Sequence, residues 1–447
     1  MKKNYKWIIL ITCILVYSSA NLVRLNYTGI ASYLMTEWQI GKPELGVLGA
    51  AFFYAYALGQ SSWGSLTDLF GGRKIIPCGV FITAILMGVF AITDNYHQAV
   101  VVRALLGFVG GASFVPCVAV IGRWFGKKQR GLAMNLFSGP GGGLGEVWSF
   151  LLLPIMALFL NQGVTVFGMS SWHAATFIMG IIILVIAIVA YGLLRSDPTE
   201  LYTDQTDTQI TKENKSVHQK NNYKTIIFSA LKNPSFWIFV LIWQGFTVCL
   251  RLIPSWLPLY AATFYQEMAN MSKAEAMIAG GAIASFYVAG RIIGPPFVGK
   301  LSDWLLSKYN ISRIVILIAS FSITLICSFF LTLHITSAVI LVVIAFILGT
   351  GINLLSILNT VIAETWSVET SGTLNGVANT ITQFIGAASL SYSGYMAVNF
   401  AIKDGGFNLE YRGIWFLVMI SVIIAVLASI FAFFYNKKRE KMQKMIY

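Results

Sequence analysis

Four arginines, Arg24, Arg103, Arg251 and Arg291, stand inside long apolar stretches of this 447-residue chain. A charge in hydrocarbon costs about 2.5–3.5 kcal/mol on insertion scales, so such residues face a cavity or a partner. The guanidinium fork is planar and matches carboxylate or phosphate. Only one acid, Glu146, lies well inside an apolar stretch, and one carboxylate cannot neutralise four arginines. Arg24 lies as far past Trp7, where one stretch begins, as Arg251 lies past Pro234, where another begins. Two guanidiniums at matching depth repel one another unless an anion sits between them. The chemistry expected is a clamp of Arg24 and Arg251 on a small anion. The alternative is that each pairs with a protein carboxylate or snorkels to an interface.

The remaining polar residues give weaker signals. Arg291, twelve residues before Asp303 or about 18 Å along a helix, is a third candidate ligand or the partner of Glu146. Arg103 opens RALLG, with Gly107, Gly110 and Gly111 behind it, and reads equally as a ligand or a packing residue. Glu146, after the glycine-rich SGPGGGLG run, is expected as a fixed counter-ion, with proton coupling as the alternative. Tyr56 and Gln60 form an i,i+4 pair that can line a cavity. They are favoured over Tyr54 as ligands. Asn26, Tyr27, Trp148, Gln244, Asn353, Asn359, Asn379 and Gln383 can also line it.

The elements that must hold these side chains are membrane helices. The hydrophobic fraction is 57% and the charged fraction 11%, against roughly 25% charged in soluble domains; mean hydropathy is +0.72. Spans of roughly 20 apolar residues are expected at 7–33, 43–66, 74–93, 97–122, 130–160 and 171–194. After a polar stretch, six more follow at 234–262, 274–301, 312–333, 336–361, 371–400 and 410–435. The fold class expected is an all-α membrane protein of twelve transmembrane helices in two pseudo-symmetric six-helix halves. Residues 1–194 form the N-terminal half, 195–233 a flexible linker, 234–435 the C-terminal half and 436–447 a basic tail.

The net charge of +13 does not indicate nucleic acid, because the basic residues sit in short loops and tails. With both termini on one side, the opposite side holds only Lys42, Lys273, Lys403 and Arg412. This bias places both termini and the linker in the cytoplasm. The first apolar run reads as a span and not as a removable signal. The five cysteines lack paired spacing and read as small hydrophobes. Neither a metal-spaced His cluster nor a nucleotide-binding GxxxxGK[ST] sequence occurs. No cofactor, metal or catalytic residue is expected, and the protein reads as no enzyme.

The halves share a motif. Gly64 to Asp68 reads GSLTD, followed by Arg73, and Gly299 to Asp303 reads GKLSD, followed by Lys308. Both fall at the cytoplasmic end of the second span of a half. Asp68 can pair with Arg73 or with a basic group on a neighbour, a latch formed in one state and broken in another. Gly64, Asp68, Arg73, Gly299 and Asp303 are therefore expected to gate.

With these residues in view, the chain resembles the major facilitator superfamily over essentially its whole length, on GSLTDLFGGRK and its echo GKLSD. NLVRLNY at Asn21 to Tyr27, Pro116-Cys117, WFGKKQRG at Trp124 to Gly131 and WHAA at Trp172 to Ala175 resemble the organophosphate–phosphate antiporters. So does Arg251 with Trp256, Pro258 and Tyr260. That resemblance implies that Arg24 and Arg251 bind the anionic group of the solute. AFFYAYALGQ at Ala51 to Gln60 resembles the anion–cation symporters, whose arginines in spans 1 and 4 match Arg24 and Arg103. The chain departs from both patterns: Val23 and Gly110 stand where the symporters carry acids, and Gln60 where glycerol-phosphate carriers have a lysine.

The function expected is secondary active transport of a small organic anion (carboxylate, sugar acid or organophosphate) by alternating access. A proton, a sodium ion or an exchanged anion would drive it, as symport or antiport. An amino-acid or other zwitterionic nutrient carrier is the alternative, and a non-transporting solute sensor a further one. Export of hydrophobic cations would call for cavity acids where the spans have arginines. The expected setting is a bacterial inner membrane, as a monomer among lipids with no nucleic-acid partner.

Overall fold

The computed structural model describes residues 4–161, 168–169, 171–201, 223–333, 335–352, 357–358, 361, 368–401 and 410–446. The candidates Asn353 and Asn359, together with Lys403, His218, His334 and linker positions 202–222, lie outside the described residues.

Long helices make up the molecule. In chain order they are α1 (Tyr5–Gly29), α2 (Lys42–Phe70), α3 (Gly72–Ala91), α4 (Tyr96–Trp124), α5 (Gln129–Leu160), α6 (Ser171–Leu193), α7 (Pro234–Ala269), α8 (Lys273–Tyr309), α9 (Arg313–Phe330), α10 (Ala338–Ile352), α11 (Val368–Asn399) and α12 (Arg412–Ile446). Polar caps mark where apolar runs begin. Asn95 accepts from the Gln98 N–H before α4, Ser272 and Glu275 form a capping box at α8, and Ser312 caps α9. Asn270 and Asn310 end α7 and α8 in the left-handed region.

Among the described residues, nine helices are long and apolar enough to cross a membrane. The helices α2, α10 and α11 are not among them. Here α2 and α11 pack on one another, and they carry the Gly, Ser, Tyr and Asn that such an inner contact uses. The outer surface displays large apolar side chains such as Leu58, Ile188, Val339 and Leu427, the inverse of a water-facing surface.

Packing repeats along the chain. The pairs α1–α5, α1–α6, α2–α4, α3–α4 and α3–α6 recur as α7–α11, α7–α12, α8–α10, α9–α10 and α9–α12. Glycines make the closest of these contacts. A Cβ on Gly59 would fall on the Phe108 main chain, and one on Gly294 would fall on the Thr350 main chain. Gly59 and Gly294 each stand five residues before their half's GSLTD or GKLSD motif, so they make a matching helix crossing, of the small-residue kind that membrane helices use. The chain is an all-α, multi-span membrane protein with pseudo-symmetric helical packing.

Two segments are more regular than the sequence suggested. The stretch expected as a flexible linker carries a ten-residue helix, Tyr223–Lys232. Its apolar run, Ile226 to Phe228, supplies what a disordered linker lacks. The basic tail continues α12 as helix to Ile446, being rich in Lys, Met, Gln and Glu, all good helix formers.

The two sets of helices touch at the end away from the termini. There Lys42 Nζ pairs with Glu410 at 2.8 Å and lies over the Tyr411 ring. A Cβ on Gly394 would strike the main chain of Lys42 and Pro43. Lys273 Nζ reaches Thr36 Oγ1 at 3.4 Å. At the end that carries the termini, Ser61 of α2 and Gly376, Val377, Thr380 and Ile381 of α11 line a gap of about 370 Å³. No ion pair joins the two sets at that end among the described residues.

Candidate functional site

The site is built around α5. Its glycine run lets the helix lie against two neighbours at once. A Cβ on Gly145 would fall on the Ser18 carbonyl of α1, and one on Gly143 would meet Ile292 and Val288 of α8. Glu146 follows directly and is thereby held between α1 and α8. The helix then loosens into a π-helical turn, Trp148–Leu152, a feature that often marks functional positions. Gly29 of α1 and Gly281 of α8 pack on carbonyls of that turn, at Ser149 and Phe150.

Glu146 is fully buried and bridges two of the four arginines. Arg24 Nη2 donates to Oε1 at 2.5 Å, while Arg291 Nη1 donates to Oε1 at 2.5 Å and Oε2 at 2.6 Å. The Arg24 and Arg291 side chains remain 11% and 14% exposed. The counter-ion expected for Arg291 is thus shared with Arg24.

Arg251 of α7 is placed differently. It is 2% exposed, and its Nη2 donates to Gln383 Oε1 of α11 at 2.5 Å. Gln383 in turn donates to Asn379 Oδ1, one helical turn away. The guanidinium lies 4.1 Å from the centroid of the Phe53 ring. Its Nε and Nη1 have no hydrogen-bond partner among the described residues. Arg24, Arg251 and Arg291 lie within electrostatic range of each other, with Tyr17 and Tyr56 beside them. Tyr56 also accepts a hydrogen bond from Gln60 Nε2 at 3.0 Å. Hydrogen bonds thus join Arg24, Arg291 and Glu146, and likewise Tyr56 and Gln60, with Arg251 near Arg24, Arg291 and Tyr56. Glu146 pairs with two of the three guanidiniums, so the described residues of the site hold a formal excess of two positive charges.

Arg103 and Asn26 lie apart from this group of side chains. Arg103 is fully buried between the rings of Tyr27 and Phe52, at 4.7 and 4.8 Å. Its donors go to the carbonyls of Val23, Arg24 and Leu48 and to Asn26 Oδ1. This geometry pins the α1 backbone at Arg24 to α4, and in it neither residue offers a group to a solute. Gln244 likewise serves packing, bonded to Ser421 and its carbonyl.

The expected gate residues lie near the end that carries the termini. Asp68 is exposed and makes no ion pair among the described residues. Arg73 turns instead toward Glu200, at 3.6 Å, and its main-chain N–H donates to Ser196 Oγ. Gly71, at φ +82°, makes the turn between α2 and α3. Gly64 meets Val115, whereas nothing crowds Gly299. Asp303 pairs with Arg313 at 2.7 Å and not with Lys308, because Arg313 opens the next helix. No pattern of residues assigned a role to Phe53 or Tyr17. The aromatic run around Phe53 was the one signal for it.

Among the described residues, no group of three or more His, Cys, Asp or Glu could hold a metal ion. The five cysteines are free.

Known proteins similar to this chain are transport proteins. A phosphoglycerate transporter protein of Salmonella typhimurium is 24% identical over 66% of this chain and 65% of its own length. A probable L-galactonate transporter of Escherichia coli is 25% identical over 60% of this chain and 55% of its own. The chain therefore spans less than two thirds of these curated relatives. A bacterial homologue of the human lysosomal transporter Spinster, solved inward-facing and unoccupied, has the same fold, with a TM-score of 0.74, 18% identity and coverage of 97% of this chain and 98% of that one. The family model of the Major Facilitator Superfamily matches residues 9–391, and the chain belongs to that family.

Proposed function

We propose that this protein is a secondary transporter that moves a small organic anion, a carboxylate, sugar acid or organophosphate, by alternating access. One observation carries the reading: Arg251 is buried and, among the described residues, has no carboxylate beside it and keeps Nε and Nη1 unpartnered. A buried donor left unsatisfied costs about 1–3 kcal/mol, more when charged. An anion lying between Arg251 and the partly exposed Arg24 would remove that cost and reduce the excess positive charge. Tyr56 and Gln60 are placed to bond the rest of the solute. Relatives named for phosphoglycerate and L-galactonate transport support this class.

The twelve helices then form two halves, 1–194 and 234–435, with 195–233 between them and 436–447 as the tail. The Lys and Arg bias puts the termini in the cytoplasm, so the end with the gap opens inward. Asp68 and its echo Asp303 are assigned to closing that end when the carrier faces outward, and the lone Asp68 fits an open latch. Nothing here hydrolyses a nucleotide, so a gradient of an ion or a counter-solute drives the cycle. The carrier works as a monomer in a bacterial inner membrane.

The test is binding of galactonate, glycerol 3-phosphate and 3-phosphoglycerate to purified protein and its Arg24→Lys and Arg251→Lys variants. Each change removes a forked, charge-assisted contact of about 1.5–3 kcal/mol, so affinity for the solute that binds should fall roughly 10- to 150-fold. Wild-type affinity in both variants would reject the clamp.

A further inference from the structure

We infer that Glu146 is a resident anion, occupying Arg24 while the carrier is empty and ceding it to the solute, so that the empty carrier can change state. This inference rests on the transport reading above. Glu146 and Arg24 belong to the N-terminal set of helices and Arg291 to the C-terminal set, so the 2.5 Å bridge to Arg291 crosses the moving boundary. A carrier that closes over its site must strip water from every group in it. Three guanidiniums without a carboxylate would make that step unfavourable, since unpaired buried charges cost several kcal/mol each. Glu146 supplies a partner to two of them and leaves Arg251 as the one arginine in the site without a carboxylate.

The geometry also says what happens when a solute arrives. Arg24 touches Glu146 through one nitrogen and one oxygen. Arg291 Nη1 reaches both carboxylate oxygens. Loss of Arg24 therefore leaves Glu146 still paired with Arg291 through both oxygens. The solute's anionic group takes the place of Glu146 on Arg24 and closes the gap to Arg251. Net uptake into a vesicle without internal solute requires the return of the empty carrier. Exchange of solute for solute does not.

The experiment compares these two modes in proteoliposomes, with radiolabelled galactonate, glycerol 3-phosphate and 3-phosphoglycerate as probes. Wild type should show both net uptake and counterflow for the solute it accepts. In Glu146→Gln, net uptake should fall at least tenfold further than counterflow does. Glu146→Asp, which keeps the charge, should recover net uptake at least in part; it also serves where the Gln variant does not fold. Equal loss of both modes in the folded variants would make Glu146 a structural residue and overturn the inference. Net uptake that survives in Glu146→Gln but no longer responds to an inward proton gradient would assign Glu146 a proton and also overturn it. Wild type that exchanges none of the probes, and no other organic anion, would instead remove the transport reading itself.

Discussion

Arg24 and Arg251 stand at matching places in the two halves of the chain, yet their surroundings differ. Arg24 has a carboxylate at 2.5 Å and keeps part of its side chain exposed. Arg251 has an amide, an aromatic ring and two nitrogens without partners. Repetition of the helices fixed the depth of both residues, but not their chemistry. The N-terminal arginine is held by a carboxylate. The C-terminal arginine is held by neutral groups, and on the proposed reading it is the one that a solute relieves most.

The largest effect that would sharpen this contrast is expected at Arg251 itself. Arg251→Ala should weaken solute binding by about 100-fold or more, since a buried charge-assisted contact of about 1.5–3 kcal/mol is lost together with its neighbour's. Binding isotherms on purified protein would check it. An effect smaller than that of Arg24→Ala would reverse the ranking of the two arginines.

Gln383→Leu comes next. It strips the last hydrogen-bond partner from Arg251 Nη2, at a cost of about 1–3 kcal/mol. Thermal melting should show a destabilised empty protein, with bound solute restoring more stability than it adds to wild type. Equal stabilisation of both by solute would mean that Arg251 is not relieved by the anion.

On the Arg24 side, Gly145→Ala should separate α1 from α5 and move Glu146 away from Arg24. Overpacking of this kind costs about 1–3 kcal/mol and should lower melting temperature. Unchanged stability would show that the close approach of the two helices is not needed. The smallest effect is expected at Asp68→Asn, which should slow cycling a few fold while leaving solute affinity intact. Cycling at the wild-type rate would remove Asp68 from the gate.

Much of this was legible before any coordinates. Apolar runs are long-range in character and need no partner to be recognised, so the helices and their pairing into a repeat could be read from the chain. The excess of buried arginine over buried acid was equally plain. What could not be read was which arginines one acid would choose. The sequence offered Arg291 as a partner of Glu146 but not Arg24 beside it, and the pairing with both follows from Gly143 and Gly145, which set α5 against α8 and α1 together. Arg103 was undecided for the same reason, because carbonyls at Val23, Arg24 and Leu48 are invisible in a pattern of side chains. Phe53 lies beside Arg251 only in the folded chain, since the two stand on helices far apart in sequence. Arg73 and Asp68 are close in sequence, yet Arg73 turns to Glu200, which another loop brings in.

The most direct measurement is counterflow in proteoliposomes across phosphate esters, carboxylates, sugar acids, amino acids and organic cations. Exchange confined to one class of small organic anion, and lost in Arg251→Ala, is the expected result. Exchange of only cations or neutral compounds, or exchange indifferent to Arg251, would contradict the anion clamp.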